Sequence, residues 1–398
     1  MNRREFSQSI GLGLAGAAAL STNASAADTD SPATSPVAKS EWKQWAREHM
    51  RGLDNVVMPS FSPDFKSLDE EGIRQDVRQS IRQGFCASTL TATGANAQQS
   101  ERMMQIVREE SGSKIMTSTI IGGTPDAAIA SLTKAKKNGV SYSLVTFPGN
   151  LKPETEDEVY AHFRKIADAA PIPILLYGSP VASLTRFHPS GIPINVYDKL
   201  ADHPKVVGMK LTHPMPAALA FELCERLSNR LLLGPVNLDL VPVLAKHYSG
   251  IQWSGQWIAD SVQSPEKPYG NELLALASQG KVDEALKVYW KMEPLIQLVY
   301  DIQARLLPSH PWVHMKYYQW ATGGNGGLLP LREGPGLPAL NGKDRELIKK
   351  TYRLTGITPV NSPEEEFIVG KAAYARGVRP ADLASKPLYA KLALSRDA

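Results

Sequence analysis

The sequence predicts a (β/α)8 TIM barrel followed by a C-terminal helical region. Three observations carry this. Between residues 50 and 265, eight short runs rich in aliphatic and β-branched residues alternate with stretches of helical apolar spacing. The segment after the first run, Pro59-Ser60-Phe61-Ser62-Pro63, is unlike the phosphate loop expected of a doubly wound open sheet. After the eighth run the chain turns helical, with apolar residues three and four apart.

The first 26 residues are read apart from the fold: Arg3-Arg4-Glu5-Phe6, a mild Gly/Ala/Leu run from Ile10 to Leu20, and Ala24-Ser25-Ala26 as a small-residue cleavage site. The pattern resembles a twin-arginine export signal, and the expected location is periplasmic or otherwise exported. The run is too short and glycine-rich for a stable membrane anchor. Gly11-Leu12-Gly13-Leu14-Ala15-Gly16 matches a dinucleotide fingerprint only formally, since no strand precedes it. Residues 27–49 read as an Ala/Ser/Thr/Pro/Asp-rich linker and a short helix.

The expected strands of the barrel are Asn55–Pro59, Ala87–Leu90, Lys114–Ile121, Tyr142–Thr146, Ile174–Tyr177, Val206–Lys210, Leu231–Leu233 and Gly250–Trp253. The intervening helices are Asp69–Gln83, Gln98–Glu110, Pro125–Lys137, Thr155–Ala169, Asn195–Ala201, Ala217–Leu227 and Leu238–Tyr248, with Gly84 and Gly139 as stop signals. Residues 266–355 form the helical region, with helices expected over Asn271–Gly280, Val282–Arg305, Trp312–Ala321 and Lys343–Leu354. Residues 356–398 read as a tail packed on the surface or on a neighbouring subunit.

Composition narrows the function. The chain has 398 residues, is 42% hydrophobic and 21% charged, and carries 44 basic against 40 acidic residues. Without a dense basic stripe, nucleic acid is not an expected partner. Cys86 and Cys224 offer neither a disulfide framework nor metal-ligand spacing. His310 and His314 stand four apart, but no third ligand is evident and Pro311 marks a helix start, so no metal is expected.

Catalytic groups of such barrels sit at the C-terminal ends of strands. Val206-Val207-Gly208-Met209-Lys210 ends on a lysine, and strict alternation puts Val206, Gly208 and Lys210 on one face. Burial lowers the pKa of such a lysine, and the neutral amine can attack a ketone to form a Schiff base. Strand five ends on Tyr177, strand two runs into Thr91-Ala92-Thr93-Gly94, and strand seven ends on Gly234, a close-approach position. Trp253 and Trp257 flank the end of strand eight and offer a pocket wall or simple packing.

Gly208-Met209-Lys210, Tyr177-Gly178-Ser179-Pro180 and Thr91-Ala92-Thr93-Gly94, in this order on these strands, resemble the dihydrodipicolinate synthase / N-acetylneuraminate lyase family over residues 50–355. The resemblance implies a class I lyase or aldolase, without cofactor or metal, that makes or breaks a carbon–carbon bond of a pyruvate-type 2-oxo acid with an aldehyde partner. It implies that Lys210 forms the imine, that Tyr177 passes protons, and that Thr93 and the backbone at Gly94 hold the carboxylate. It also implies a homo-oligomer, as a tetramer. A dehydratase or hydratase-aldolase using the same imine, and a catalytically silent barrel binding a sugar acid or a protein, are the alternatives.

The chain departs from the family pattern at several points. Gly-Thr-Thr-Gly-Glu becomes Thr91-Ala92-Thr93-Gly94-Ala95; the relay's second tyrosine falls at Pro148-Gly149; the carboxylate-binding arginine falls at Ala182 or Ser183; and Leu211-Thr212-His213-Pro214 replaces the acidic residue common after the lysine. Dihydrodipicolinate synthase activity itself is therefore not expected. His213, Asn96 and Trp253 are candidates for a different aldehyde-side specificity.

Overall fold

The structure, a computed structural model, describes residues 41–212, 215–306, 312–330 and 340–383. The expected export signal, the linker up to residue 40, His213, His310 and the end of the tail lie outside the described residues.

Eight parallel strands form one sheet in the order β7-β6-β5-β4-β3-β2-β1-β8. They are β1 (Gly52–Val57), β2 (Ala87–Leu90), β3 (Met116–Ile121), β4 (Tyr142–Val145), β5 (Ile174–Gly178), β6 (Val206–Leu211), β7 (Leu232–Pro235) and β8 (Trp253–Gly255). The two ends of that order meet: Leu233 N–H donates to Gly250 O at 3.1 Å, and Ser254 Oγ donates to Pro235 O at 2.6 Å. The sheet thus curls into the expected barrel.

A short helix α1 (Glu41–His49) precedes the barrel, and its Ala46 and Met50 just beyond it pack with inward residues Ala87, Tyr142, Leu175, Val207, Leu232 and Trp253. This helix plugs the N-terminal mouth with apolar side chains. The outer helices α2 (Glu70–Arg82), α3 (Ala97–Ser111), α4 (Pro125–Lys137), α5 (Glu156–Ala169), α6 (Ile194–Leu200), α7 (Ala217–Leu227) and α8 (Val241–His247) follow β1 to β7 in turn. Several start on side-chain caps that satisfy otherwise unpaired N–H groups: Asp69 for α2, Asn96 in a capping box with Gln99 for α3, Thr124 ahead of Pro125 for α4, and Thr155 for α5.

Three expectations are corrected. Strand one begins three residues early, because Asp54 is a strand residue whose charge breaks the apolar pattern. Strand eight spans Trp253–Gly255 rather than ending at Trp253, so the tryptophan opens the strand. In β6 the alternation is interrupted: Ile174 pairs with Val206 but Leu175 pairs with Gly208, so Val207 is an extra residue. Val206 therefore packs outward with the main core, Val207 packs inward, and Val206 does not share the face of Lys210. The tail, where described, is helical over α13 (Glu364–Val369) and α14 (Lys371–Ala375) and packs on this chain.

The helical region comprises α9 (Tyr269–Ser278), α10 (Val282–Leu306), α11 (Val313–Ala321) and α12 (Gly342–Leu354), ahead of the two tail helices. Phe367 of the tail stacks edge-on to Tyr317 at 4.9 Å and lies 5.8 Å from Trp320. Asn325 joins these parts: its Oδ1 accepts from Ala372 N at 2.9 Å, and its own N–H donates to Asp76 on α2 at 2.7 Å.

Candidate active site

The inner face of the barrel follows from register and side-chain direction. Tyr177 on β5 pairs with Lys210 on β6, and Lys210 with Gly234 on β7. Lys210 is 8% exposed, and its Nζ lies 5.5 Å from the centroid of the Tyr177 ring. Burial lowers the lysine from its ordinary 10.5 to about 8, opposed in part by the charge of Asp54. The amine and the Tyr177 ring are thus neighbours near the C-terminal ends of β5 and β6. Burial raises the Tyr177 hydroxyl above its usual range, and the Thr212 hydroxyl nearby opposes the rise without completing a hydrogen bond of its own.

Thr93 and Gly94 are the central residues of a tight turn closed by Ala95 N–H to Ala92 O at 2.8 Å, with Gly94 at φ +75°. A Cβ on Gly94 would run into Pro330, so the ring of Pro330 occupies the side that the glycine leaves bare. Gly234 is a close-approach position, but the group that approaches is Trp253: a Cβ there would overlap the six-membered ring of the indole. Trp253 is fully buried, because it opens β8 instead of closing it, and it floors the site rather than walling the mouth. Its other edge lies over Gly255, where a Cβ would stand 3.1 Å from Cζ2 and 3.6 Å from Cδ of Lys210. Two glycines thus clear the space that the indole and the lysine stem share. Trp257 packs instead against Trp312, at 5.8 Å between centroids. His213 lies outside the described residues, and Asn96 serves as the cap of α3.

Sequence reasoning missed Asp54. It is 1% exposed, on the inner face of β1 in register with Gly255. Tyr142 on β4 donates to its Oδ2 at 2.5 Å, and Thr89 Oγ1 on β2 stands 3.0 Å from both carboxylate oxygens. Thr89 is itself 2.7 Å from Ser118 Oγ on β3. With the Thr89 hydrogen given to the carboxylate, Ser118 donates to Thr89, so one chain of hydroxyls ends on Asp54. Burial raises Asp54 from 3.8 to about 6, while Tyr142, Lys210 and Thr89 pull it back. The available signal was a lone charged residue in the short run Leu53–Val57 just after Gly52.

Another cavity, of about 590 Å³, lies between α3 and α4 beyond the ends of β2 and β3, lined by Thr91, Met104, Ile121 and Lys134 among others. Neither Lys210 nor Tyr177 faces it. Among the described residues no group of three or more His, Cys, Asp or Glu side chains is placed to hold a metal ion.

The barrel fold is shared with solved structures of known lyases. Residues 50–227 match the Dihydrodipicolinate synthetase family. A DapA-like lyase of Pyrobaculum aerophilum is 25% identical over 316 residues, covering 77% of this chain and 99% of its own. A 4-hydroxy-tetrahydrodipicolinate synthase of Chlorobium limicola is 27% identical over 239 residues, covering 58% of this chain and 76% of its own. Dihydrodipicolinate synthase from Aquifex aeolicus superposes with a TM-score of 0.61 at 17% identity, covering 78% of this chain and 100% of the other. N-acetylneuraminate lyase from Fusobacterium nucleatum superposes with a TM-score of 0.59 at 16% identity, covering 77% and 98%. The structural likeness concerns the fold; the sequence matches place the homologues of this chain among dihydrodipicolinate synthetase family and DapA-like lyases.

Proposed function

We propose that the chain is a class I lyase that forms an imine between Lys210 and a 2-oxo acid and makes or breaks a carbon–carbon bond next to that carbon. The carrying observation is Lys210 itself: buried at the end of β6, in register with Tyr177, and lowered to about 8. A lysine in this state has a usable fraction of free amine near neutral pH.

The amine nitrogen attacks the ketone carbon, and the carbonyl π pair moves to oxygen, giving a carbinolamine once the proton has passed from nitrogen to oxygen. Loss of the hydroxyl as water, with one proton supplied, leaves the protonated imine. That proton is assigned to Tyr177, whose ring lies 5.5 Å from Nζ. The cationic imine then accepts the electron pair of the breaking carbon–carbon bond.

Thr93 and the Gly94 backbone are proposed to hold the carboxylate. The replaced relay and arginine positions argue for an aldehyde partner other than that of dihydrodipicolinate synthase. A dehydratase using the same imine is the second reading, because it needs the same lysine and tyrosine. The Arg3-Arg4 pattern supports a location outside the cytoplasm, and the family resemblance supports a homotetramer.

Pyruvate is the first acid to try, since N-acetylneuraminate lyase of Fusobacterium nucleatum forms a complex with it. The test is borohydride reduction of protein incubated with pyruvate and other 2-oxo acids, followed by peptide mass mapping. One adduct on Lys210, absent from Lys210→Ala, is the expected result. Folded protein that traps none of these acids overturns the reading.

A further inference from the structure

Asp54 is not explained by packing. The floor of the barrel around it is built from Ala87, Tyr142, Leu144, Leu175 and Trp253, and an apolar residue would complete that layer without a desolvation cost. Instead the layer holds a carboxylate, and its surroundings are arranged to keep it ionised. Tyr142 and Thr89 both bring hydroxyl hydrogens to it, from two different strands. A neutral acid would have a hydrogen of its own to place, whereas an anion accepts from both.

Its counter-charge is Lys210. The groups that face Asp54 are Tyr142 from β4, Thr89 from β2 with Ser118 of β3 behind it, Cys86 just before β2, and Lys210 from β6. Of these, only the lysine is basic. The groups that face Lys210 are Tyr177 from β5, Asp54 from β1, and the indole and Gly255 of β8. The lysine stem passes against Gly255, and Gly255 pairs with Asp54 across β8 and β1. The bare glycines at 234 and 255 therefore do more than admit Trp253: Gly255 lets the lysine stem run beside the β8 residue that pairs with Asp54. No direct ion pair joins Asp54 and Lys210, so the amine stays available while the carboxylate acts on it through charge in the buried interior, where screening is weaker than in water.

We propose that Asp54 is the positioning residue of the reactive amine: a buried carboxylate, aimed by Tyr142 and Thr89, that holds positive charge on Lys210 Nζ and on the imine nitrogen that takes its place. This rests on the reading of Lys210 as the reactive amine. Asp54 does not touch substrate; it acts through Lys210, favouring the cationic imine over its neutral form. Without it, the interior would hold an uncompensated cation at Lys210.

The experiment reads the charge of Lys210 with no 2-oxo acid present. Protein is labelled with trace acetic anhydride across a pH series, and acylation of the Lys210 peptide is quantified by mass spectrometry. In the wild type the midpoint is expected near 8. In Asp54→Asn, which keeps the shape and an acceptor for Tyr142, it is expected to fall by about one pH unit. That is about a tenfold gain in neutral amine at a pH below both midpoints. An unchanged midpoint overturns the proposal.

Lys210→Met is a second arm that does not depend on folding of the Asp54 variant. Coupling of two charges is reciprocal, so removing the lysine is expected to raise the pH at which the protonated-carboxyl infrared band of Asp54 disappears. The bands of the other buried acids stay in place. A carboxyl spectrum identical to wild type overturns the proposal. Imine trapping is scored separately: no adduct together with a shifted midpoint defeats the lyase reading and leaves the Asp54–Lys210 coupling standing.

Discussion

Trp253 and Gly234 interlock across β7 and β8: the indole fills the space that a side chain at 234 would take, and it lies beneath the stem of Lys210. An alanine at 234 has no room unless the ring moves, and the ring has none, being fully buried among Tyr142, Leu232 and the plug helix. Gly234→Ala is expected to destabilise the protein by about 1–3 kcal/mol through overpacking. Its near-ultraviolet circular dichroism should change, because the displaced indole is held edge-on to Tyr142 at 6.4 Å. Trp253→Ala acts in the opposite sense, opening a cavity at a cost of about 3–5 kcal/mol. Urea denaturation of both variants checks the two magnitudes.

The pH dependence of imine formation follows from Lys210. Its folded value of about 8 lies below the ordinary 10.5, so the neutral amine accumulates as pH rises through about 8. Borohydride trapping at fixed, sub-saturating pyruvate is expected to climb between pH 7 and 9, as an order-of-magnitude window set by that shift. A group whose folded pKa is depressed binds fewer protons in the folded state between those two values. The lysine therefore makes stability rise with pH between about 8 and 10.5. A trapping curve that rises only toward pH 10 would mean an ordinary solvated lysine.

Tyr177→Phe separates proton transfer from amine chemistry. The ring, and with it the contact 5.5 Å from Nζ, is retained. The Lys210 labelling midpoint should stay near its wild-type value. Turnover of whichever 2-oxo acid traps best should fall by about 10²–10⁴, the range for loss of a general acid/base. Equal turnover in the variant would remove Tyr177 from the mechanism.

The barrel was legible in the sequence because its strands are short aliphatic runs and its helices carry clear caps and stops; β2, α4 and α7 fall where the pattern puts them. Lys210 and Tyr177 were legible for a related reason, since both close an apolar run. Asp54 was not, and Trp253 was named as a candidate but at the wrong end of its strand. Each sits inside a strand whose limits were misjudged by about three residues, and in a strand of three to six residues that error moves a side chain from one end of the barrel to the other. The bulge at Val207 was equally invisible, because consecutive valines fit either face. The Gly94–Pro330 contact joins residues far apart in the chain, and no local pattern encodes it.

Outside the barrel wall a second buried polar cluster controls stability. Asp260 accepts from Asn55 Nδ2 at 3.2 Å and Gln319 Nε2 at 3.4 Å, while Lys316 donates to Ser60 Oγ at 2.7 Å and Gly326 O at 2.8 Å. Burial raises Asp260 from 3.8 to about 7, and Asp76 to about 6. Between the unfolded and folded values the folded state binds more protons, so these two acids make stability fall as pH rises from about 4 to about 7. Asp260→Asn removes the larger of the two contributions and keeps an oxygen for one of the two donors. It is expected to flatten the decline in denaturation midpoint between pH 4 and 7, measured over a series in that interval. An unaltered slope would show that Asp260 keeps an ordinary carboxylate pKa.

Asn325→Ala tests how the C-terminal helices are fastened to the barrel. The amide oxygen caps Ala372 N–H at the start of α14, and the amide nitrogen donates to Gly326 O at 3.0 Å. Neighbouring Gly326 O also accepts from the buried Lys316. Truncation leaves the Ala372 donor without a partner inside the protein and Gly326 O with fewer donors, at a cost of about 1–3 kcal/mol. Because Leu328 continues from this point to bond Phe61 beside β1, and Pro330 to cover Gly94, the effect should reach the mouth of the barrel. Hydrogen exchange is expected to speed up at Phe61, whose N–H donates to Leu328 O, as well as along α14, while the strand amides of β5 and β6 keep their protection. Loosening confined to α14 would mean that the tail docks on the helical region without bracing the site.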